Sequence, residues 1–182
     1  MKNLYFIRHG ESQAQLENSW ALADCPLSKK GRAQATSAGR EAFHQGLIFD
    51  PIISSPFQRA VETAQLLASE LGYPISKIVI NDLFQERSFG ILNGTANARD
   101  FFDNHVYKDL DDVEDAETVR QLQQRAKRGL AYLESINADT ILLVGHEDFG
   151  RALRRVIESK PCTQEYTEPF PQIPNAQIIR LT

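Results

Sequence analysis

The chain has little cysteine, little glycine and proline, no excess of positive charge and no long apolar run, and each shortage excludes a class of protein. Its 182 residues contain two cysteines, Cys25 and Cys162. That is too few for a disulfide framework, and they lack the CxxC spacing of a zinc or redox site, so a reducing cytoplasm is the expected compartment. Ten glycines and eight prolines, with 42% hydrophobic and 24% charged residues, exclude collagen and disorder and fit one globular domain over 1–182. Twenty Lys and Arg against 24 Asp and Glu give a net charge of −4. Neither a nucleic-acid backbone nor an anionic membrane is therefore an expected partner. The first apolar run, Leu4 to Ile7, is too short for a signal peptide or a membrane span, and the mature chain is expected to start at Met1.

What is present is an alternation of apolar runs and helical periodicities. This predicts an α/β fold with three layers, α/β/α, around a mostly parallel central sheet. Strands are expected at 4–7, 52–53, 78–80 and 141–144, with a last, edge strand at 176–181. Helices are expected over 28–45, capped by Ser28 and closed by Gly46, and from Ser55 as N-cap and Pro56 as first residue to Gly72. Further helical stripes run from Val119 to Ile136 and from Glu147 to Glu158, while 82–94 and 161–174 read as irregular. Between Asp109 and Glu117 six of nine residues are acidic, which reads as a solvated loop before a helix start.

Open α/β sheets bind ligands beyond the carboxyl ends of their strands. Those positions hold Arg8-His9 after the first strand, Arg59 after the second, Glu86 after the third and His146 after the fourth. Two guanidinium groups, two imidazoles and a carboxylate suit a phosphoryl group. Arginine forks bind its oxygens, a neutral histidine attacks phosphorus, and a carboxyl group protonates the leaving oxygen and then deprotonates water. Strand-end placement alone does not decide which histidine is the nucleophile. A cysteine phosphatase is excluded because Gly31 and Glu168 stand where an arginine six positions after each cysteine is required. GxxxxGK[ST], GxGxxG and HExxH are absent, and no metal is expected.

Arg8-His9-Gly10-Glu11-Ser12 resembles the RHG signature of the histidine phosphatase superfamily, also called phosphoglycerate mutase-like. The resemblance continues through Pro26-Leu27-Ser28 with Gly31 and Ala33, and Ser54-Ser55-Pro56 with Arg59-Ala60 and Thr63-Ala64. It then takes in Gln85-Glu86-Arg87 with Phe89-Gly90 and Gly94, and Val144-Gly145-His146, in the family's order. It implies that His9 is phosphorylated, that Arg8, Arg59 and His146 complete the phosphate pocket, that Glu86 is the proton donor, and that no cofactor is needed. Gln15 stands where the family usually has asparagine and would reach the substrate with a longer side chain. Gly145 replaces a common serine or threonine, and Glu147 replaces a small residue, which would place a negative charge near the phosphate if it faced the pocket.

The function expected is hydrolysis of a small phosphomonoester by way of a phosphohistidine. The alternatives are mutase-type phosphoryl transfer and a non-catalytic phospho-ligand or protein-binding module. Trp20, Phe101, Phe102 and Tyr107 are expected to pack more than to bind. No apolar stripe is left over to indicate an oligomer.

Overall fold

A computed structural model describes residues 2–96, 113–160 and 172–182. The strands are β1 (Asn3–Arg8), β2 (Ile52–Ser54), β3 (Val79–Ile80), β4 (Thr140–Gly145) and β5 (Ile178–Arg180), ordered β3-β2-β4-β1-β5 in one sheet. All neighbouring pairs are parallel except β1 with β5, which is antiparallel at the sheet edge. The described helices are α1 (Gln13–Leu16), α2 (Lys29–His44), α3 (Gln58–Leu71), α4 (Val119–Ser135) and α5 (Glu147–Ile157).

Alternation along the strands separates two cores. On one face Phe6, Ile53, Ile141 and Leu143 pack with Leu122, Ala126, Phe149 and Leu153 of α4 and α5. On the other Ile7, Ile52, Leu142 and Val144 pack with Ala38, Ala42, Ala64 and Leu67 of α2 and α3. The three layers are those expected. Ser28 caps α2 by accepting from the Gly31 amide at 3.0 Å, and Gly72, at φ 67°, closes α3 in the left-handed conformation that glycine adopts without cost.

Several boundaries differ from the sequence expectation. Helix α3 starts at Gln58 with Phe57 as N-cap, not at Ser55-Pro56. The physical reason is that Ser55 still belongs to the sheet ladder, its amide donating to the Val144 carbonyl at 3.0 Å, which delays the helix to Gln58. Strand β3 is shorter than expected and exposed on both residues. The stretch 82–94 contains two short 3-10 turns, Asp82–Phe84 and Gly90–Leu92. Helix α1 is a single turn that periodicity could not detect. Its signal is the capping box, in which Ser12 accepts from the Gln15 amide while the Gln15 side chain accepts from the Ser12 amide. Expectations for 97–112 and 161–171, including Phe101, Phe102, Tyr107 and Cys162, lie outside the described residues. No helix among the described residues is long and apolar enough to cross a membrane.

Candidate active site

Register brings the strand ends together. Arg8 is paired with Gly145 and Ser54 with Val144, so the next residues, His9, Ser55 and His146, leave the sheet side by side. The His9 amide donates to the Gly145 carbonyl at 2.9 Å, and the two imidazoles stand edge to face with centroids 5.2 Å apart. The His9 backbone is held on two further sides. Asn175 Nδ2 donates to the His9 carbonyl at 2.8 Å, and the Gly10 amide donates to Thr63 Oγ1 at 3.1 Å. Gly10 itself is required by a close approach, because a Cβ there would lie 2.3 Å from the Gly31 carbonyl oxygen. Gly31 answers it, since its own Cβ would lie 2.0 Å from the Glu11 carbonyl oxygen.

The His9 ring is fixed as one tautomer. Nδ1 lies 2.6 Å from the Gly10 carbonyl oxygen, which only accepts, so Nδ1 carries the proton. The lone pair is on Nε2, where Arg59 Nε donates at 3.2 Å. Burial pushes the His9 pKa well below its ordinary value, and Arg59 and Arg8 push it further, so the ring stays neutral. His146 is fully buried and is likewise held neutral by burial and by Arg59, His9 and Arg8. Its Nε2 lies 2.7 Å from Ser55 Oγ, which also accepts from the Phe57 amide at 3.3 Å. Its Nδ1 has no hydrogen-bond partner among the described residues.

Arg8, His9, Arg59 and Glu86 line one cavity of about 870 Å³; His146 lies behind His9 and does not reach its surface. Arg59, in the first turn of α3, also donates through Nη1 to the Leu22 carbonyl at 2.8 Å and stacks over Phe57. Gln15 lines the cavity as well, but its carbonyl end is committed to the Ser12 cap and to Asn175 Nδ2 at 3.3 Å. Trp20 is buried and packs against Phe89 with ring centroids 4.4 Å apart, and both residues also line the cavity.

Glu86 is held at the start of α5. Its carboxylate accepts from the amides of Asp148 at 3.3 Å and Phe149 at 3.1 Å, and from its neighbour Arg87 at 2.9 Å. These include amides of the first turn of α5, which have no carbonyl partner within the helix. The segment carrying Glu86 is anchored from below by Arg125. Its Nη1 donates to the carbonyls of Leu83 at 2.9 Å and Gln85 at 2.7 Å, while Nε and Nη2 grip the Glu117 carboxylate at 2.8 and 2.6 Å. The guanidinium also lies over the Phe149 ring at 5.0 Å.

Glu147 turns into the cavity. Its Oε2 pairs with Arg8 Nη1 at 2.5 Å, and that same nitrogen donates to the Ile173 carbonyl at 3.0 Å. Burial raises the Glu147 pKa while Arg8 and Arg151 draw it back. Beside it, Asp148 is pushed up to about 7, by burial first and then by Glu86. Asn175, Arg125 and the contact of Ser55 with His146 are neighbours of the site that sequence reasoning missed. Gly145 is matched to its own surroundings, for a Cβ there would lie 3.0 Å from the Phe6 ring. No group of three or more metal-ligating side chains occurs among the described residues.

The model of the histidine phosphatase superfamily (branch 1) matches residues 4–182. The chain is 34% identical over 94 residues to a 2,3-bisphosphoglycerate-dependent phosphoglycerate mutase of Bartonella bacilliformis, covering 51% of this chain and 46% of that protein. A protein of the same description from Parvibaculum lavamentivorans is 28% identical over 166 residues, covering 85% of this chain and 77% of its own length. Among solved structures, an open reading frame product of Mycobacterium tuberculosis superposes with a TM-score of 0.75 at 25% identity, covering 97% of this chain and 89% of that one. A mycobacterial glucosyl-3-phosphoglycerate phosphatase superposes with a TM-score of 0.81 at 20% identity, covering 98% and 91%. The latter likeness is one of fold.

Proposed function

The chain belongs to the histidine phosphatase superfamily, and we propose that it is a phosphomonoesterase, one catalytic domain over 1–182, acting on a small phosphorylated molecule through a phosphohistidine at His9. The observation that carries this reading is the state of His9: a neutral ring, protonated at Nδ1 by virtue of the Gly10 carbonyl, with its Nε2 lone pair beside the Arg59 guanidinium. An imidazole so held is a nucleophile whose attacking atom already sits where an arginine would bind a phosphoryl oxygen.

In the first step the Nε2 lone pair forms the N–P bond as the P–O ester bond breaks. The leaving oxygen takes that electron pair and a proton from the Glu86 carboxyl. In the second step water attacks phosphorus and gives its proton to Glu86, and the N–P bond electrons return to Nε2. Arg8 and Arg59 hold the phosphoryl oxygens in both steps, and His146, fully buried and edge to face with His9, supports the His9 ring from within the fold. Gln15 is a weaker contributor, through the end of its amide not used in the cap. No metal or organic cofactor enters the scheme, and low cysteine content supports a reducing compartment.

A mutase reading has the descriptions of the curated relatives in its favour, and a binding module has the Arg8–Glu147 pair. One experiment separates the three. Hydrolysis of para-nitrophenyl phosphate in EDTA is compared for wild type and His9→Ala, with acid-labile protein phosphate followed in the same samples. EDTA-resistant, His9-dependent release of inorganic phosphate with a labile phosphoenzyme is the expected result. Phosphoryl transfer to a second hydroxyl in place of water would favour the mutase, and folded protein that binds phosphate without turnover would favour the binder.

A further inference from the structure

Glu147 is the one departure from the family pattern that the scheme above leaves without a task, and the cavity wall gives it one. Three guanidinium groups line the cavity, those of Arg8, Arg59 and Arg87, and so do three carboxyl groups, those of Glu86, Glu147 and Asp148. The carboxyls are all at the start of α5 or bonded to its first amides. A phosphoryl dianion seated by His9 takes Arg8 and Arg59. Arg87 is already directed elsewhere, its Nε donating to the Glu117 carbonyl at 2.7 Å. Glu147 meanwhile holds Arg8 and engages one of its terminal nitrogens together with the Ile173 carbonyl. A second anionic group on the substrate thus meets a carboxylate fixed at the wall, beside two arginines, Arg8 and Arg87, that each already hold a protein oxygen.

We propose that Glu147 is a specificity-determining residue that restricts this pocket to phosphomonoesters whose alcohol part carries no second negative charge, and so excludes phosphoglycerates and bisphosphates. The inference rests on the phosphomonoesterase reading for the seat of the phosphoryl group. Discrimination of this kind works by repulsion: the carboxylate adds little to the substrate it admits and penalises the one it rejects. Its rigidity is what makes it effective. A carboxylate free to swing into solvent would be screened, whereas one locked to Arg8, with a side chain only 16% exposed, cannot withdraw.

The test is binding, which does not depend on turnover. Calorimetric affinities are measured for glycerol 3-phosphate and 3-phosphoglycerate, which differ in a hydroxymethyl against a carboxylate, on wild type and Glu147→Gln, with inorganic phosphate as reference. Wild type is expected to bind glycerol 3-phosphate about tenfold more tightly than 3-phosphoglycerate, the order of penalty for like charges at a partly screened wall. In the glutamine variant the ratio should fall to within about threefold. Release of Arg8 strengthens both ligands and cancels in the ratio. Equal or tighter binding of 3-phosphoglycerate by wild type overturns the inference, as does a ratio unchanged by Glu147→Gln or binding of inorganic phosphate alone. If the expected ratios are seen and His9-dependent turnover is not, the selectivity stands and the hydrolytic reading falls.

Discussion

Replacing Arg125 with methionine removes the anchor beneath Glu86, and the consequences for stability and for chemistry are separable. The side chains of Arg125 and Glu117 are 13% and 16% exposed, so little solvent screening reduces their pairing. Taking away one partner of such a pair leaves a largely buried carboxylate unpaired, at a cost of about 3–5 kcal/mol. The carbonyls of Leu83 and Gln85 lose their donor as part of the same event, so their contribution is not added. For a chain of this size about 4 kcal/mol lowers Tm by about 8–16 °C, within what a domain of ordinary stability survives. Below that transition the variant should retain its phosphate pocket and lose the placement of its acid. Steady-state rates are then compared for an alkyl phosphate, whose departing oxygen needs a proton, and para-nitrophenyl phosphate, whose does not. We expect at least a tenfold fall in kcat for the first and under threefold for the second, with inorganic phosphate inhibition unchanged. A Tm within 3 °C of wild type, or equal losses on both substrates, would refute the anchoring argument.

Four further outcomes follow from the same geometry. Glu86→Gln should slow alkyl phosphate hydrolysis far more than nitrophenyl hydrolysis, and equal losses would remove Glu86 from the acid role. The depressed histidines and the raised Asp148 act in opposite directions on stability. His9 and His146 bind protons more readily when unfolded, so stability is lost as pH falls below about 6.5. Asp148, raised to about 7, binds its proton in the folded state and loses stability as pH rises from about 4 to 7. Asp148→Asn should therefore steepen the acid-side decline by about 1.4 kcal/mol per pH unit in urea titrations, and an unchanged slope would mean that Asp148 is ionised. Gly145→Ser should cost about 1–3 kcal/mol against the Phe6 ring, with Phe6→Leu recovering part of it in a double-mutant cycle; strict additivity would disprove the contact.

The strand ends were legible because a parallel sheet sends every carboxyl terminus to one edge: Arg8-His9 and His146 could be paired before any register was known. Glu86 was legible as a loop residue after the third strand, but what holds it was not. The amides that receive it lie at the start of α5, 62 and 63 positions away, and no local pattern encodes that meeting. Ser55 misled for a related reason, since Ser-Pro before an apolar stripe is a helix-start signal and only the sheet register shows the serine still in the ladder. Gln15 could have been recognised from its spacing to Ser12, a capping pair that gives this glutamine a structural reason to be there. Glu147's direction was undecidable from sequence, because a carboxylate at a helix start is equally at home in solvent, and it took the position of Arg8 to turn it inward.

Strand β1 leads into His9, yet both of its neighbours in the sheet come from the far part of the chain: β4 over its whole length on one side, β5 on the other. During synthesis β1 is made before either neighbour and stays unpaired on both edges until β4 and then β5 follow it. His9, at the end of β1, therefore precedes in the chain both strands that complete its side of the sheet. A chain stopped before β4 therefore leaves both edges of an apolar strand open and cannot assemble the strand-end cluster of His9 and His146.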